Sequence, residues 1–399
     1  MITLTRKIQF IAIPTLLISA AWLSAGPLNP PAGPITSTGK TLTEVEPRVA
    51  INSTNTPGDA DSLFKITQPG SYYLTANITG VVGKHGIEIA ASGVTLDLNG
   101  LSLQGVAGSL DGISVTVSNA SGIAISNGTI RAWGGDGVDL RTVVTNATRV
   151  ERVSSITNAG TGIGTYNNAT IIDCNAFNNS GSGFVLERHC TITSCTAGTN
   201  SLQGISANRG CTITNCTASN NLQNGILAST GCAITNCTAY ANTLNGIVGS
   251  HECVLTSCVA AANGADGLSA GGDALISGCV ATENGGDGIE VGVSCTVRGN
   301  HAGSNGSILA DSAGIHTLST DNRIEGNICL FNLRGVSVSS AGNFIVRNNC
   351  SNNTTNWVIA ANNLIGPIMD RSSFSSPAVN GNAADSTLIT SDPHANFTY

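Results

Sequence analysis

The chain has 399 residues, of which only 10% are charged and 4% aromatic, and its formal net charge is −7. A globular domain normally carries about 25% charged residues, so this Gly-rich and weakly charged composition favours a thin, regular β structure. The negative balance and the absence of any run of basic residues argue against a nucleic-acid-binding protein, because phosphate binding needs clustered Lys and Arg.

The first 25 residues have the features of a secretion signal. Arg6 and Lys7 precede a mostly apolar run, and the small pair Ser24-Ala25 follows it. The run is shorter than the roughly 20 apolar residues of a spanning helix, which favours a cleaved signal over a membrane anchor. We therefore expect a secreted, periplasmic or cell-surface protein with no membrane span after cleavage.

Composition and repeats divide the chain into five segments. These are the signal peptide at 1–25, a Pro-rich linker at 26–40, an N-terminal cap at 41–85, a repeat region at 86–362 and a C-terminal cap or tail at 363–399. Caps are expected because the open end of a stack of strands would pair with other chains.

A 21-residue period dominates the repeat region. It joins glycines that are each followed by an apolar residue, namely Gly162, Gly183, Gly204, Gly225, Gly246, Gly267 and Gly288. Within one period, Ile213 alternates with Thr212 and Thr214, as in a half-buried strand, and Asn221 falls in a polar turn. Short strands of this kind bury a face only when successive repeats stack. The sequence thus predicts an all-β fold, a right-handed parallel β-helix of about twelve coils, and shows no leucine-rich frame.

Most of the thirteen Cys residues recur at the same period. They fall into two columns and a later pair, which are Cys190, Cys211, Cys232 and Cys253; Cys174, Cys195, Cys216, Cys237, Cys258 and Cys279; and Cys329 and Cys350. Ala274 and Asn300 replace Cys in these columns, which favours free thiols packed as small core residues. Disulfides between adjacent coils and a metal site are the alternatives, because stacked Cα atoms fall within bridging distance.

The densest ionisable patch of the regular coils lies before the first Cys column. Its members should stack along one ridge and are Glu187, Arg188, His189, Arg209, His251, Glu252 and Asp273. The ridge is the candidate binding surface, with a merely solvated ridge as the alternative because the groups spread over five coils. A looser group consists of His316, Asp321, Arg323, Glu325, Arg334 and Arg347.

A candidate metal site is formed by two Asp-Gly turns. Asp266 and Asp287 precede the coil glycine in adjacent coils, so their carboxylates should stack and could share a cation such as Ca²⁺. The alternative is that Asp-Gly is simply favourable turn chemistry.

Several segments resemble bacterial right-handed β-helix repeat proteins of the pectin-lyase-like superfamily. They are Gly-Val-Thr-Leu-Asp-Leu-Asn-Gly at 93–100, Asn-Gly-Thr-Ile-Arg at 127–131 and Trp-Gly-Gly-Asp-Gly at 133–137. The resemblance implies the fold and carries no catalytic residues. Pectin-degrading hydrolases of the superfamily use an adjacent Asp pair and a Gly-His-Gly segment, and this chain has no Asp-Asp and has Lys84-His85-Gly86 instead.

These observations leave two functions. We favour a non-enzymatic exported scaffold or binding protein that contacts cell-surface or extracellular polysaccharide, because the hydrolase motifs are missing and aromatic residues are few. The alternative is a polysaccharide lyase, hydrolase or epimerase with a site that the sequence does not name, since fold alone does not assign activity. No cofactor other than Ca²⁺ is expected.

Overall fold

The computed structural model describes residues 46–141, 144–308, 311–372, 388 and 390–399. The predicted signal and linker, and the start of the predicted cap, lie outside these residues. Pro47–Tyr399 forms one compact unit. The described residues contain strands and turns, and none of them belongs to a helix long and apolar enough to cross a membrane.

Each regular coil contributes three short strands, and the first strand of each coil belongs to a 14-stranded parallel sheet. Its strands are Ser62–Ile66, His85–Ile89, Ile113–Val115, Val138–Leu140, Ile163–Thr165, Phe184–Leu186, Ile205–Ala207, Ile226–Ala228, Ile247–His251, Leu268–Gly272, Ile289–Val293, Ala313–Thr317, Arg334–Val338 and Thr355–Ile359.

The other two strands of each coil belong to a 28-stranded sheet. Its strands are Val49–Ala50, Gly70–Tyr73, Ile78–Thr79, Val94–Asp97, Ser102–Gln104, Ala124–Arg131, Arg149–Ile156, Thr170–Ile172, Asn175–Phe177, Thr191–Thr193, Thr196–Gly198, Thr212–Thr214, Thr217–Ser219, Ala233–Thr235, Thr238–Tyr240, Val254–Thr256, Val259–Ala261, Leu275–Ser277, Val280–Thr282, Thr296–Arg298, His301–Gly303, Arg323–Glu325, Ile328–Leu330, Phe344–Val346, Asn349–Ser351, Leu364–Ile365, Ile368–Asp370 and Asn396–Thr398. A two-stranded sheet joins Ala120–Ser121 to Thr145–Asn146.

The inside and outside of the coil follow the alternation in the sequence. Ile226 pairs in register with Ile205 and Ile247, and all three are fully buried. Ile213 is likewise buried, whereas Thr214 faces outward and is half-buried. The stacked apolar columns form one continuous core along the solenoid. The predicted parallel β-helix is confirmed, but the 14-stranded sheet shows that about twelve coils was an underestimate.

Part of the undercount arises from the segment before Gly86, and the last strand of the sheet, Thr355–Ile359, adds one more. Strand Ser62–Ile66 pairs with His85–Ile89, and Gly70–Tyr73 pairs with Val94–Asp97, both in parallel. This segment therefore stacks as a coil of its own. Its turns lack the 21-residue spacing, and for this reason periodicity did not reveal it.

A buried asparagine ladder explains the repeated coil glycine. The Asn200 side-chain amide donates to Asn221 Oδ1 at 3.0 Å and to the Ala176 carbonyl at 3.1 Å, and Asn221 is fully buried. A Cβ atom on Gly204 would lie 2.6 Å from the Asn221 amide nitrogen, so only glycine fits there. The prediction that Asn221 merely supplies a turn was incomplete, because its side chain satisfies buried backbone groups.

All thirteen cysteines are free and buried. Cys216 is typical: its thiol lies 3.2 Å from the Thr214 carbonyl oxygen, to which it can donate. The columns therefore act as small core residues with a weak hydrogen-bond donor, as the sequence favoured.

Candidate functional site

Two columns of side chains on the 14-stranded sheet carry the candidate site. We call the residue just before each coil glycine the turn column, and the second residue after that glycine the outer column. Alternation along the strand makes the outer column face solvent, because the intervening residue, such as Ile289, is buried in the core. Parallel pairing aligns Glu290 of the outer column with His316 in the next coil.

Four residues of these columns form the histidine cluster, namely Asp266, Asp287, Glu290 and His316. His316 Nδ1 lies 3.0 Å from Asp287 Oδ2, and its Nε2 lies 2.9 Å from Ser339 Oγ. Ligand atoms of Asp287, Glu290 and His316 all lie within 4.8 Å of one another. Two carboxylates and an imidazole thus converge at the solvent-facing surface of the sheet.

Protonation equilibria in the histidine cluster are shifted. The hydrogen bond with Asp287 raises the pKa of His316. Burial raises the pKa of Glu290, and the neighbouring carboxylates of Asp266 and Asp287 raise it further. Burial also raises the pKa of Asp266. All three pKa shifts are upward, so these groups hold a proton more strongly than they would in free solution, as groups of proton-transfer sites often do.

The carboxylates of the histidine cluster lack a permanent counter-charge. Among the residues that the structure describes, no Lys or Arg forms a salt bridge with Asp266, Asp287 or Glu290. Arg334 follows in the turn column two coils after Asp287, but its guanidinium pairs with Asp311 at 2.6 Å. Its charge nevertheless reaches the site, because it opposes the rise in the pKa of His316.

The turn-column acids also have a structural task. Asp266 Oδ1 accepts the backbone N–H of Asp287 at 2.8 Å, and Asp287 Oδ1 accepts that of Ala313. One oxygen of Asp287 therefore secures the next coil while the other contacts His316. This division explains how a residue of the repeat can serve both the fold and a site.

A second ionisable group lies at the outer column near the other end of the sheet. We call Asp59, Lys65 and Glu88 the lysine cluster. Lys65 Nζ lies 2.7 Å from Glu88 Oε1 and 2.7 Å from Asp59 Oδ2. Glu88 is 2% exposed and also accepts a 2.6 Å hydrogen bond from the Thr116 hydroxyl. Here one lysine contacts both carboxylates, so each of them has a cationic partner.

Arg141 likewise pairs with two acids further along the stack. Its guanidinium contacts Asp136 of the turn column and lies 3.1 Å from Asp139 of the outer column. Both acids are therefore paired with a cation, in contrast to those of the histidine cluster.

The predicted metal pair is only a fraction of the observed cluster. Asp266 and Asp287 do stack in adjacent coils, but the close group of ligand atoms is Asp287, Glu290 and His316. An imidazole ligand is typical of transition metals such as Zn²⁺ or Mn²⁺, whereas Ca²⁺ takes oxygen ligands. The donor set thus fits a transition metal better than the expected Ca²⁺.

The predicted binding ridge lies along one edge of the stack without converging. Glu187 is half-buried and accepts a 2.9 Å hydrogen bond from the Asn208 side chain. The exposed members are Arg188, His189, Arg209, His251, Glu252 and Asp273. Within the described residues of the chain, no ion pair joins any two of the seven. A groove of about 320 Å³ runs beside Glu187 and is lined by residues such as Ser206, Leu227 and Ser250.

Sequence reasoning missed Glu290 as a site residue and left His316 in a loose group. The coil from Gly288 to Gly314 has 26 residues, so the 21-residue period does not align the two side chains. Counting from each coil glycine would have done so, because both residues are the second after their glycine. The structure also splits the loose group, since Arg323, Glu325 and Arg347 lie at the 28-stranded sheet.

Comparison with known proteins supports the fold. Residues 85–244 match the family described as a right handed beta helix region. The mannuronan C-5 epimerase AlgE6 A-module of Azotobacter vinelandii is 15% identical with a TM-score of 0.52, over 75% of this chain and 90% of that chain. The AlgE4 A-module of the same organism is 14% identical with a TM-score of 0.50, over 75% and 91%. No curated protein matches the sequence significantly.

The chain therefore has the right-handed parallel β-helix fold, which it shares with these solved structures. At these identities the likeness concerns the fold, and the site must be judged on its own geometry.

Proposed function

We propose that this protein acts on an acidic polysaccharide by transferring a proton at the histidine cluster, as an epimerase or a lyase does. The observation that carries the proposal is the convergence of Glu290 and the Asp287–His316 pair on the solvent-facing sheet. The neighbours with the same fold support the substrate class, because they are named for an epimerisation of mannuronan. Of the two functions that the sequence leaves, the proposal favours the enzyme over the scaffold.

Each residue of the cluster has a chemically suited role. The raised pKa of Glu290 makes its carboxylate a stronger base, able to accept the proton from the carbon beside a uronate carboxylate. His316, whose pKa is also raised, is the acid that returns a proton to that carbon in an epimerase or to the leaving oxygen in a lyase. Asp287 is a positioning residue that holds His316 in place. Arg334 supplies positive charge near the substrate carboxylate.

Turnover of defined polyuronates in D₂O tests this proposal. Polymannuronate and polygalacturonate are incubated with the protein, and two products are followed: deuterium at carbon 5 of intact chains, and unsaturated chain ends. We expect one of them with the wild-type protein. His316→Gln and Glu290→Gln should each lower kcat by about 100-fold or more, the usual range for loss of a general acid or base.

Glu283→Gln is the matched control, because Glu283 is an exposed acid in a turn of the neighbouring coil. It should retain full activity. Absence of both products, or equal activity in Glu290→Gln and the wild type, would contradict the proposal. New reducing ends without deuterium or unsaturation would indicate hydrolysis instead.

A bound metal ion is the second candidate use of the cluster. Asp287, Glu290 and His316 each offer one ligand atom within 4.8 Å of the others. A transition metal there would replace the missing counter-charge and polarise a substrate carboxylate. Activity that a chelator abolishes and Zn²⁺ or Mn²⁺ restores would support this use, whereas unchanged activity would favour the metal-free proton transfer.

A further inference from the structure

A group of arginines lies on the 28-stranded sheet, away from the columns of the histidine cluster. We call Arg298, Arg323 and Arg347, with Glu325 among them, the arginine patch. Register places Arg298 directly beside Glu325 in the next coil. All three arginines are exposed, whereas Glu325 is half-buried. Three arginines thus lie around one carboxylate on a chain whose overall charge is negative, and two of them contact it.

Two arginines of the patch already bind one carboxylate of the protein, that of Glu325. Arg323 Nε lies 2.7 Å from Glu325 Oε2, and Arg347 Nη1 lies 2.9 Å from Glu325 Oε1. Charge-assisted pairs of this kind recognise carboxylates by geometry as well as charge. Arg298 has no salt bridge within the described residues, so its donors remain available to a ligand.

A cavity adjoins these charges. It measures about 540 Å³ and is lined by Ser277, Gly278, Arg298, Gly299, Glu325, Gly326 and Arg347. Gly299 and Gly326 adopt left-handed turns with φ of 64° and 66°, and a Cβ on either would meet nothing within 4 Å. The floor of the cavity is therefore bare backbone, and a ligand can approach the guanidinium groups without displacing a side chain.

We propose that the arginine patch is a second binding site, which takes the carboxylate groups of an acidic polysaccharide. Arg298 and Arg347 contact the ligand across the glycine floor, while Arg323 keeps Glu325 engaged. The site serves to hold a polyanion and does not depend on turnover at the histidine cluster. Neutral polymers, which offer no anionic group, do not bind here.

Binding of defined polymers to Arg298→Glu tests the patch. Affinity for polygalacturonate is measured at low and at high ionic strength, with heparin as the sulfated polymer and dextran as the neutral one. Losing one charge-assisted contact and introducing repulsion should weaken polygalacturonate binding by about tenfold or more. Wild-type binding should also fall as salt rises, because the interaction is electrostatic.

Arg131→Glu is the control, because it makes the same charge reversal at an exposed arginine of the 28-stranded sheet that lies outside both the patch and the predicted ridge. It should bind polygalacturonate like the wild type. Wild-type affinity in Arg298→Glu, or equal loss in both variants, would overturn the patch as a site, and so would binding of dextran. Dependence on Arg298 for heparin alone would overturn the carboxylate assignment.

This result can be separated from that of the proposed function. If the patch is not a binding site, Arg298→Glu binds polygalacturonate as the wild-type protein does, whichever products the wild-type protein forms. If the proposed function is wrong, the wild-type protein forms neither deuterated nor unsaturated products, but its binding of polygalacturonate still depends on Arg298.

Discussion

The lysine cluster and the histidine cluster occupy equivalent positions of the same sheet but differ in how their charge is balanced. Glu88 and Glu290 are both outer-column residues, two positions after a coil glycine. Glu88 is paired with Lys65 and hydrogen-bonded to Thr116, whereas Glu290 faces further carboxylates and His316. The repeat therefore places a carboxylate at the same position of the coil in both clusters, and the side chains of adjacent coils determine whether that carboxylate has a cationic partner. A cationic partner stabilises the carboxylate of Glu88 in the fold, whereas Glu290 lies beside other carboxylates and its pKa is raised.

Removing the cation of the lysine cluster should have the largest effect. Lys65→Met leaves the buried Glu88 carboxylate without its cation, at a cost of about 3 kcal/mol in the free energy of unfolding. Chemical denaturation measures the loss, and Arg188→Met, at an exposed arginine, should stay within about 0.5 kcal/mol of the wild type. Equal stability of Lys65→Met and the wild type would show that the lysine cluster is not a stabilising ion pair.

The Asp287–His316 pair should contribute less, and in a pH-dependent manner. Because folding raises the pKa of His316, its stabilisation is fully present below its unfolded value of about 6.5 and is lost as pH rises through the folded value. A double-mutant cycle with His316→Gln and Asp287→Asn should give a coupling energy of about 1 kcal/mol at pH 5.5 that declines above neutrality. Asn keeps the acceptor for the Ala313 N–H. A coupling energy independent of pH would mean that the imidazole is not charged in this pair.

Much of the fold could be predicted because the sequence repeat shows which residues of successive coils lie beside each other. Alternation around Ile213 and the spacing of the coil glycines predicted which side chains face inward. The stacking of Asp266 on Asp287 followed from the same count. The asparagine ladder was not predicted, because a buried amide and a turn amide look alike in sequence and only the partner in the next coil distinguishes them.

The site was less predictable because it depends on a break in the repeat. Glu290 and His316 become neighbours only across the longer coil that ends at Gly314. The number of ionisable residues favoured the ridge around His189 and His251 as the site. These residues lie in successive turns, however, and their side chains are exposed to solvent without contacting one another. The lysine cluster and the histidine cluster differ in whether a cation from an adjacent coil pairs with the carboxylates, and not in how many ionisable residues the chain has nearby.

The most direct test of this difference in charge balance is the unfolding free energy of two matched variants at pH 7, Glu88→Gln and Glu290→Gln. We expect effects of opposite sign. Glu88→Gln should destabilise the protein by about 1 kcal/mol, because it breaks the pair with Lys65. Glu290→Gln should stabilise it by about 0.5 kcal/mol, because it removes a partly buried charge that lies beside other carboxylates. Destabilisation of similar size in both variants would contradict the claim that Glu88 has a stabilising cationic partner and Glu290 does not.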